Sequence, residues 1–207
     1  MKIAIIGATR GIGLATAQAA LAGGHEVTVL VRDRSRMPIQ HPRLIVVEGS
    51  AEDLGAVAKA ARQQDVVCDC LGTTKLLQTI TLFSRSAANL SKVLMPEQLL
   101  IAVTGTGVGD SRGHGGVLYD YVFRPLVLGR MYADKERQEQ IIMRNVARWI
   151  IVRPGFLTNG PRTGRYRALT ILRGIHGGKI SREDVADFLL KQATAPRFIG
   201  QTPLLIY

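Results

Sequence analysis

A glycine-rich stretch near the N-terminus constrains the fold of this chain more than any other feature of the sequence. The stretch "GATRGIG", Gly7 to Gly13, follows the apolar run 2–6 and leads into the alanine-rich run 14–22. A short apolar run indicates a buried strand, and alanine and leucine are strong helix formers. The glycines therefore mark a tight turn from a strand directly into a helix, which predicts a fold of alternating strands and helices.

The rest of the chain repeats this alternation. The pattern predicts further strands at 26–31, 43–48, 65–71, 98–105, 148–154 and 202–207, and helices at 51–64, 81–94, 134–146 and 181–194. The stretch 154–167 is rich in glycine, proline and arginine and predicts a loop. Strands that are apolar throughout are typical of a parallel sheet covered on both faces. We therefore expect a single α/β domain over 1–207, with a doubly wound parallel β-sheet and helices on both faces.

Composition excludes several classes of protein. The 207 residues are 46% apolar and 21% charged, which predicts a folded domain rather than a disordered chain. No signal peptide is recognisable, and no apolar run approaches the roughly 18 residues of a membrane helix, so we expect a cytoplasmic protein. Cys68 and Cys70 are separated by one residue, which predicts two reduced, buried thiols and no metal site.

The three glycines of the N-terminal turn have distinct expected roles. Gly7 lets the chain turn sharply off the strand, Gly11 lets the backbone approach a pyrophosphate, and Gly13 lets the helix pack against the strand. The free N–H groups at the start of the helix bind phosphates. Placed between a first strand and a helix, this pattern predicts a dinucleotide-binding site.

The end of the second predicted strand bears on the choice of dinucleotide. Arg32 lies 19 residues beyond Gly13, where a guanidinium favours the 2′-phosphate of NADP(H). Arg36 follows it, and Arg10 in the turn is placed to reach the adenosine end. Asp33 is the opposing observation, because an acidic residue here can bind the ribose hydroxyl of NAD(H). We expect NADP(H) to be preferred over NAD(H).

Motifs along most of the chain resemble one family. The stretches "GATRGIGLA", "VTVLVRDRSR", "DVVCDCLGT", "VTGTGVGDSRG", "YADKERQEQIIMRNVARWIIVRPGFL" and "ISREDVADFLLKQ" resemble the atypical short-chain dehydrogenase/reductases, which include NmrA-like NAD(P)H-binding proteins and biliverdin-IXβ and flavin reductases. The resemblance implies a single-domain Rossmann fold, with 1–154 as the cofactor-binding core and 155–207 as a small substrate-covering segment. It implies cofactor contacts at Gly7, Thr9, Arg10, Gly11, Ile12, Gly13, Arg32, Arg36, Leu71, Gly72, Thr73, Thr104, Pro154, Gly155 and Phe156.

The family's usual Tyr-x-x-x-Lys pair is incomplete. Lys135 is the lysine analogue, but Met131 lies four residues before it. Tyr132 is one position off, and one step along a helix turns a side chain by about 100°, so we expect the tyrosine acid to be missing. The candidate catalytic residues are Lys135 and the threonines after the fifth strand, Thr104 and Thr106. These hydroxyls have an alternative role in satisfying strand-end backbone groups, and Arg153 has one in a structural ion pair.

Arginine is concentrated in the second half of the chain. Residues 112–173 contain 11 Arg and 1 Lys against 4 acidic residues. The candidate substrate residues are Arg162, Arg165, Tyr166, Arg167 and Arg173. An anionic aromatic or conjugated small molecule suits such a surface, although a solvated basic face is equally compatible with it. No nucleic-acid-binding motif accompanies the net charge of +11, so nucleic acid is a disfavoured partner.

These observations favour an NADPH-dependent reductase of a conjugated acceptor, such as a flavin, quinone or linear tetrapyrrole. Hydride transfer is the chemistry of the cofactor, and such an acceptor can take its proton from solvent. The alternative is an NmrA-like redox sensor that binds NADP(H) without turnover. A third, weaker alternative is an isomerase or dehydratase. Both a monomer and a homodimer fit the sequence.

Overall fold

The computed structural model describes residues 1–74, 78–114 and 128–207. Strands and helices alternate along these residues. The strands are β1 Lys2–Ile6, β2 Glu26–Val31, β3 Leu44–Glu48, β4 Val66–Asp69, β5 Leu99–Val103, β6 Trp149–Pro154, β7 Phe156–Thr158, β8 Arg167–Leu169, β9 Lys179–Ser181 and β10 Leu204–Ile206. The α-helices are α1 Gly11–Ala22, α2 Leu54–Ala61, α3 Leu82–Val93, α4 Gly129–Asn145 and α5 Arg182–Thr194.

The central sheet is covered by helices on both faces, as the apolar strands predict. Ile3 and Ile5 of β1 pack with α1 and α5, whereas Ala4 and Ile6 pack with α2, α3 and α4. Successive side chains of a strand point to opposite faces, so a strand between two helical layers must be apolar throughout. The predicted α/β fold is therefore confirmed.

The order of strands in the sheet determines where a ligand can bind. Eight strands are arranged in the order β3-β2-β1-β4-β5-β6-β10-β8, and all neighbours are parallel except β10 and β8. The chain reverses its direction of winding between β1 and β4. In open α/β sheets, ligands bind at such a reversal, beside the carboxyl ends of the strands. We call this side of the sheet the carboxyl edge.

Much of the segment 155–207 belongs to the body of the domain. Strand β10 is inserted between β6 and β8, and α5 packs beside α1. Strands β7 and β9 form a separate parallel pair. The expectation of a loop over 154–167 was wrong at both ends, because β7 and the first residue of β8 lie in it. No helix in the described part of the chain has the length and apolar character needed to cross a bilayer.

Candidate functional site

The glycine-rich turn links β1 to α1 at the carboxyl edge. Gly7 has φ +88°, a backbone conformation that glycine adopts readily and other residues rarely do. A Cβ atom on Gly7 would lie 3.0 Å from the carbonyl oxygen of Cys70, and one on Gly13 would collide with the carbonyl oxygen of Gly7. Glycine at both positions thus allows α1 to start directly against β1. This is the packing that the sequence predicts for Gly13.

The first turn of α1 can accommodate an anion. Arg10 is its N-cap residue, yet the Arg10 side chain forms no capping hydrogen bond, and the first turn contains no acidic residue. Gly11 has φ +61°. Apart from its chain neighbours and the backbone of its own helix, a Cβ atom on Gly11 would have one atom of the described residues within 4 Å, which is Nε of Arg182 at 3.9 Å. Backbone N–H groups at such a helix start bind phosphate groups. The turn therefore fits the pyrophosphate of a dinucleotide.

The residues after β2 differ in their hydrogen bonds and in their exposure. The Asp33 carboxylate accepts hydrogen bonds from the backbone N–H and the hydroxyl of Ser35, at 2.9 and 2.6 Å, and these bonds lower the pKa of Asp33. Arg34 donates to the carbonyl oxygen of Val46 at 2.6 Å. Arg32 and Arg36 are exposed. The carboxylate that opposed an NADP(H) preference is thus occupied by its own turn, and two guanidinium groups extend beyond β2.

Asp69, at the end of β4, was missed by sequence reasoning. Its buried carboxylate accepts hydrogen bonds from Gln138 Nε2 at 3.0 Å, Ser86 Oγ at 3.2 Å and the backbone N–H of Leu71 at 3.3 Å. Burial raises the pKa of Asp69. The bond to Leu71 fixes the turn that leads into Gly72 and Thr73, which the sequence predicts to line the cofactor. The available signal was an aspartate within the apolar stretch "VVCDC".

Both candidate threonines donate their hydroxyls to other groups of the protein. Thr104 Oγ1 donates to Glu139 Oε1 at 2.7 Å, and Thr106 Oγ1 donates to the carbonyl oxygen of Pro154 at 3.0 Å. Arg153 donates to Glu139 at 2.6 and 3.0 Å and also pairs with Asp110. Arg153 is therefore a buried structural ion-pair residue, the alternative left open for it. Sequence reasoning missed Glu139, which joins the Thr104 hydroxyl to this pair.

Lys135 and Tyr132 share the inward face of α4. Lys135 Nζ donates to the carbonyl oxygen of Val103 at 3.0 Å and lies 4.0 Å from the centre of the Phe83 ring. Burial lowers the pKa of Lys135 to about 8. Tyr132 is also buried, and its hydroxyl would lie 3.2 Å from a Cβ atom on Gly105, just after β5. The one-residue offset from the family's tyrosine therefore does not turn this ring away from the sheet.

The candidate substrate residues have different partners in the structure. Tyr166 donates to Asp187 of α5 at 2.7 Å, and Arg162 lies 3.6 Å from the same carboxylate. Arg167 donates to the carbonyl oxygen of Tyr207 at 2.9 Å, and Arg165 and Arg173 are exposed. Arg162 and Tyr166 are thus held by Asp187 of α5, whereas Arg167 is held by the chain after β10.

The carboxyl end of β6 presents an aromatic ring to solvent. Pro154 ends β6, and Gly155 packs so closely against Gly178 that a Cβ atom on Gly155 would lie 2.6 Å from the Gly178 carbonyl oxygen. The next residue, Phe156, is 73% exposed. An exposed large aromatic ring beside the carboxyl edge is a candidate surface for a planar ligand.

The fold, the reversal of strand order and the glycine-rich turn define a Rossmann-type dinucleotide-binding domain. The chain belongs to the NAD(P)H-binding family, whose model matches residues 7–196. The expectation that the chain belongs to an NAD(P)H-binding family is thereby confirmed.

Solved structures share this fold over the whole chain. ChuY, an anaerobilin reductase from Escherichia coli O157:H7, has a TM-score of 0.82 at 24% identity, covering 100% of this chain and 97% of its own. A candidate NADH-flavin reductase from Streptococcus pneumoniae TIGR4 has a TM-score of 0.78 at 21% identity, with coverages of 100% and 99%. A short-chain dehydrogenase/reductase from Veillonella parvula DSM 2008, in complex with NADP, has a TM-score of 0.78 at 22% identity, with coverages of 100% and 94%.

Proposed function

We propose that this member of the NAD(P)H-binding family is an atypical short-chain dehydrogenase/reductase, and specifically an NADPH-dependent reductase of a conjugated acceptor, such as a flavin, a quinone or a linear tetrapyrrole. The observation that carries the proposal is that Thr104, Thr106 and Lys135 all donate hydrogen bonds to other groups of the protein. A carboxyl edge arranged in this way suits an acceptor whose reduction needs no dedicated protein acid. The nicotinamide cofactor supplies the hydride when bound.

The preference for NADPH is supported by the end of β2. Arg32 and Arg36 are exposed there, while Asp33 is held by Ser35. A guanidinium binds a phosphate with charge-assisted hydrogen bonds, and a carboxylate already bonded within its own turn competes weakly for a ribose hydroxyl. The NADP complex of the Veillonella parvula relative is compatible with this preference.

We infer the roles of the site residues from their positions at the carboxyl edge. The N–H groups of Gly11, Ile12 and Gly13 would hold the pyrophosphate, with Thr9 and Arg10 beside it. Leu71, Gly72 and Thr73 would line the cofactor from β4, and Pro154, Gly155 and Phe156 from β6. Thr104, Thr106 and Lys135 would shape the nicotinamide end rather than transfer a proton. We further propose that the chain acts in the cytoplasm on a small molecule.

The acceptor class is supported by the exposed Phe156 ring and by the reactions named for two relatives, anaerobilin reduction and flavin reduction. A planar conjugated molecule can stack on an aromatic ring. Arg167 lies near the carboxyl end of β10, where its guanidinium donates to Tyr207. It is the member of the predicted arginine set best placed to meet an anionic group of such a molecule.

The direct test is NADPH oxidation by the purified protein with FMN, riboflavin, biliverdin and simple quinones as acceptors. Saturable turnover with any of them supports the reductase. Tight NADPH binding with no turnover across the panel would refute it and favour the NADP(H) sensor.

The source of the proton is tested by Tyr132→Phe in the same assay. We expect kcat to change by less than about threefold, because the acceptor takes its proton from solvent. A loss of about a hundredfold or more would show instead that the Tyr132 hydroxyl, close to Gly105, is the acid.

A further inference from the structure

Arg182 lies beside the glycine-rich turn, although the two are far apart in the sequence. It is the first residue of α5, and its Nε would lie 3.9 Å from a Cβ atom on Gly11. Its Nη1 donates to Asn159 Oδ1 at 2.7 Å. The loop after β7 and the start of α5 together hold this guanidinium against the start of α1.

A cation at this place is electrostatically unfavourable in the protein alone. The N-terminus of a helix carries a partial positive charge, so a cation in its first turn destabilises the helix. The guanidinium also faces the start of α1, a second positive helix end. Among the described residues, its hydrogen-bond partner is the neutral amide of Asn159 rather than a carboxylate. Asn159 therefore fixes the direction of Arg182 without neutralising its charge.

The first turn of α5 contains two carboxylates, Glu183 and Asp184, and among the described residues neither forms an ion pair with Arg182. Asp184 is in the same first turn, but it accepts hydrogen bonds from the backbone N–H groups of Thr163 and Gly164, and from the hydroxyls of Thr163 and Tyr207. A positive group left unpaired beside two helix starts is stabilised when an anion binds between them.

We propose that Arg182 binds the pyrophosphate of the dinucleotide, from the side opposite the N–H groups of α1, and that Asn159 positions it. The pyrophosphate is the group concerned because Gly11 is where the backbone of such a turn approaches it. Arg32, in contrast, stands at the end of β2. The inference rests on membership of the NAD(P)H-binding family and is independent of the acceptor and of the NADPH preference.

The test measures dinucleotide binding without any acceptor. Arg182→Gln removes the charge but keeps a polar side chain, and the dissociation constants for NADPH and NADH are measured by titration. Both should increase by about tenfold or more, because both dinucleotides carry the pyrophosphate. Asn159→Ala should weaken both by a smaller and equal factor. Arg197→Gln is the matched control, because it removes one exposed charge at the other end of α5 and should leave both constants unchanged.

A second measurement separates binding from a structural role. The melting temperature of the cofactor-free Arg182→Gln protein should be equal to or above that of the wild type, since an unfavourable cation is removed from a helix start. A lower melting temperature together with unchanged binding would assign Arg182 to stability and overturn the proposal. An effect on NADPH alone would also overturn it, because the contact would then be to the 2′-phosphate. Absence of acceptor turnover in the wild type, together with the expected weaker dinucleotide binding by Arg182→Gln, would contradict the proposed reductase and leave this inference intact.

Discussion

At the residue scale, Arg32 is the side chain on which the cofactor preference depends. Arg32→Ala should raise the dissociation constant of NADPH about ten- to a hundredfold, because charge-assisted bonds to the 2′-phosphate are lost. The constant for NADH should change by less than about twofold. Fluorescence titration of both dinucleotides measures this, with Arg197→Ala as a control for the lost charge. Equal weakening of both would remove Arg32 from the 2′-phosphate.

The buried Lys135 leads to a separate prediction about how the stability of the fold depends on pH. Burial lowers its pKa from 10.5 to about 8 in the folded protein, so between these values the unfolded chain binds more protons than the folded one. Stability therefore rises with pH across this window, and the penalty for burying the charge is fully present below pH 8.

The comparison is between the wild type and Lys135→Met, by urea unfolding at pH 7.5 and pH 10. The wild type should gain up to about 3 kcal/mol relative to the variant over this range. Parallel pH profiles for the two proteins would show that Lys135 does not titrate there.

At the scale of elements, the longer strands and the helices could be predicted from the sequence, and so could the short β10 in the apolar run 202–207, while β7, β8 and β9 were missed. The buried run of β5 and the amphipathic pattern of α4 extend over many residues, so their periodicity is distinctive. Strands β7, β8 and β9 have three residues each, too few for a pattern, and they lie among glycines and prolines. The turns at the carboxyl edge follow directly from the strand ends, so the sequence could assign the predicted cofactor residues to that edge, and their contacts with the cofactor stay a prediction.

The substrate residues could not be placed in this way. Arg162 and Tyr166 are close in sequence to Arg165 and Arg167, but Asp187 of α5 holds the first two along that helix. A long side chain in a loop adopts the direction of its partner, and that partner is distant in the sequence. Asp69 and Arg182 were missed for the same reason, since their contacts are with Gln138 and Asn159.

The close contact between α1 and β1 predicts that one methyl group added at Gly13 affects both stability and dinucleotide binding. Gly13→Ala should lower the melting temperature by several degrees and weaken dinucleotide binding, because the new Cβ collides with the Gly7 carbonyl oxygen and displaces the turn. Gly160→Ala is the matched control, since its Cβ would make ordinary contacts at 3.7 Å. Thermal unfolding and NADPH titration of both variants test this, and equal behaviour would show that α1 adjusts without moving the turn.

At the scale of the whole molecule, the net charge of +11 affects how ligands arrive. A strongly positive protein attracts anions before any specific contact forms, and this attraction is screened by salt over a Debye length of about 10 Å at 0.1 M. FMN and riboflavin share one reactive ring system and differ by a phosphate, so they separate this field from the chemistry of reduction.

We expect kcat/KM for FMN to fall severalfold between about 20 and 300 mM salt, while the value for riboflavin stays nearly constant. NADPH is kept saturating at each salt concentration, because its own affinity also depends on charge. If riboflavin shows the same dependence as FMN, salt acts on the protein or the cofactor rather than on the arriving acceptor. The basic surface would then have no part in acceptor capture, and the contact with an anionic group would rest on the local position of Arg167 alone.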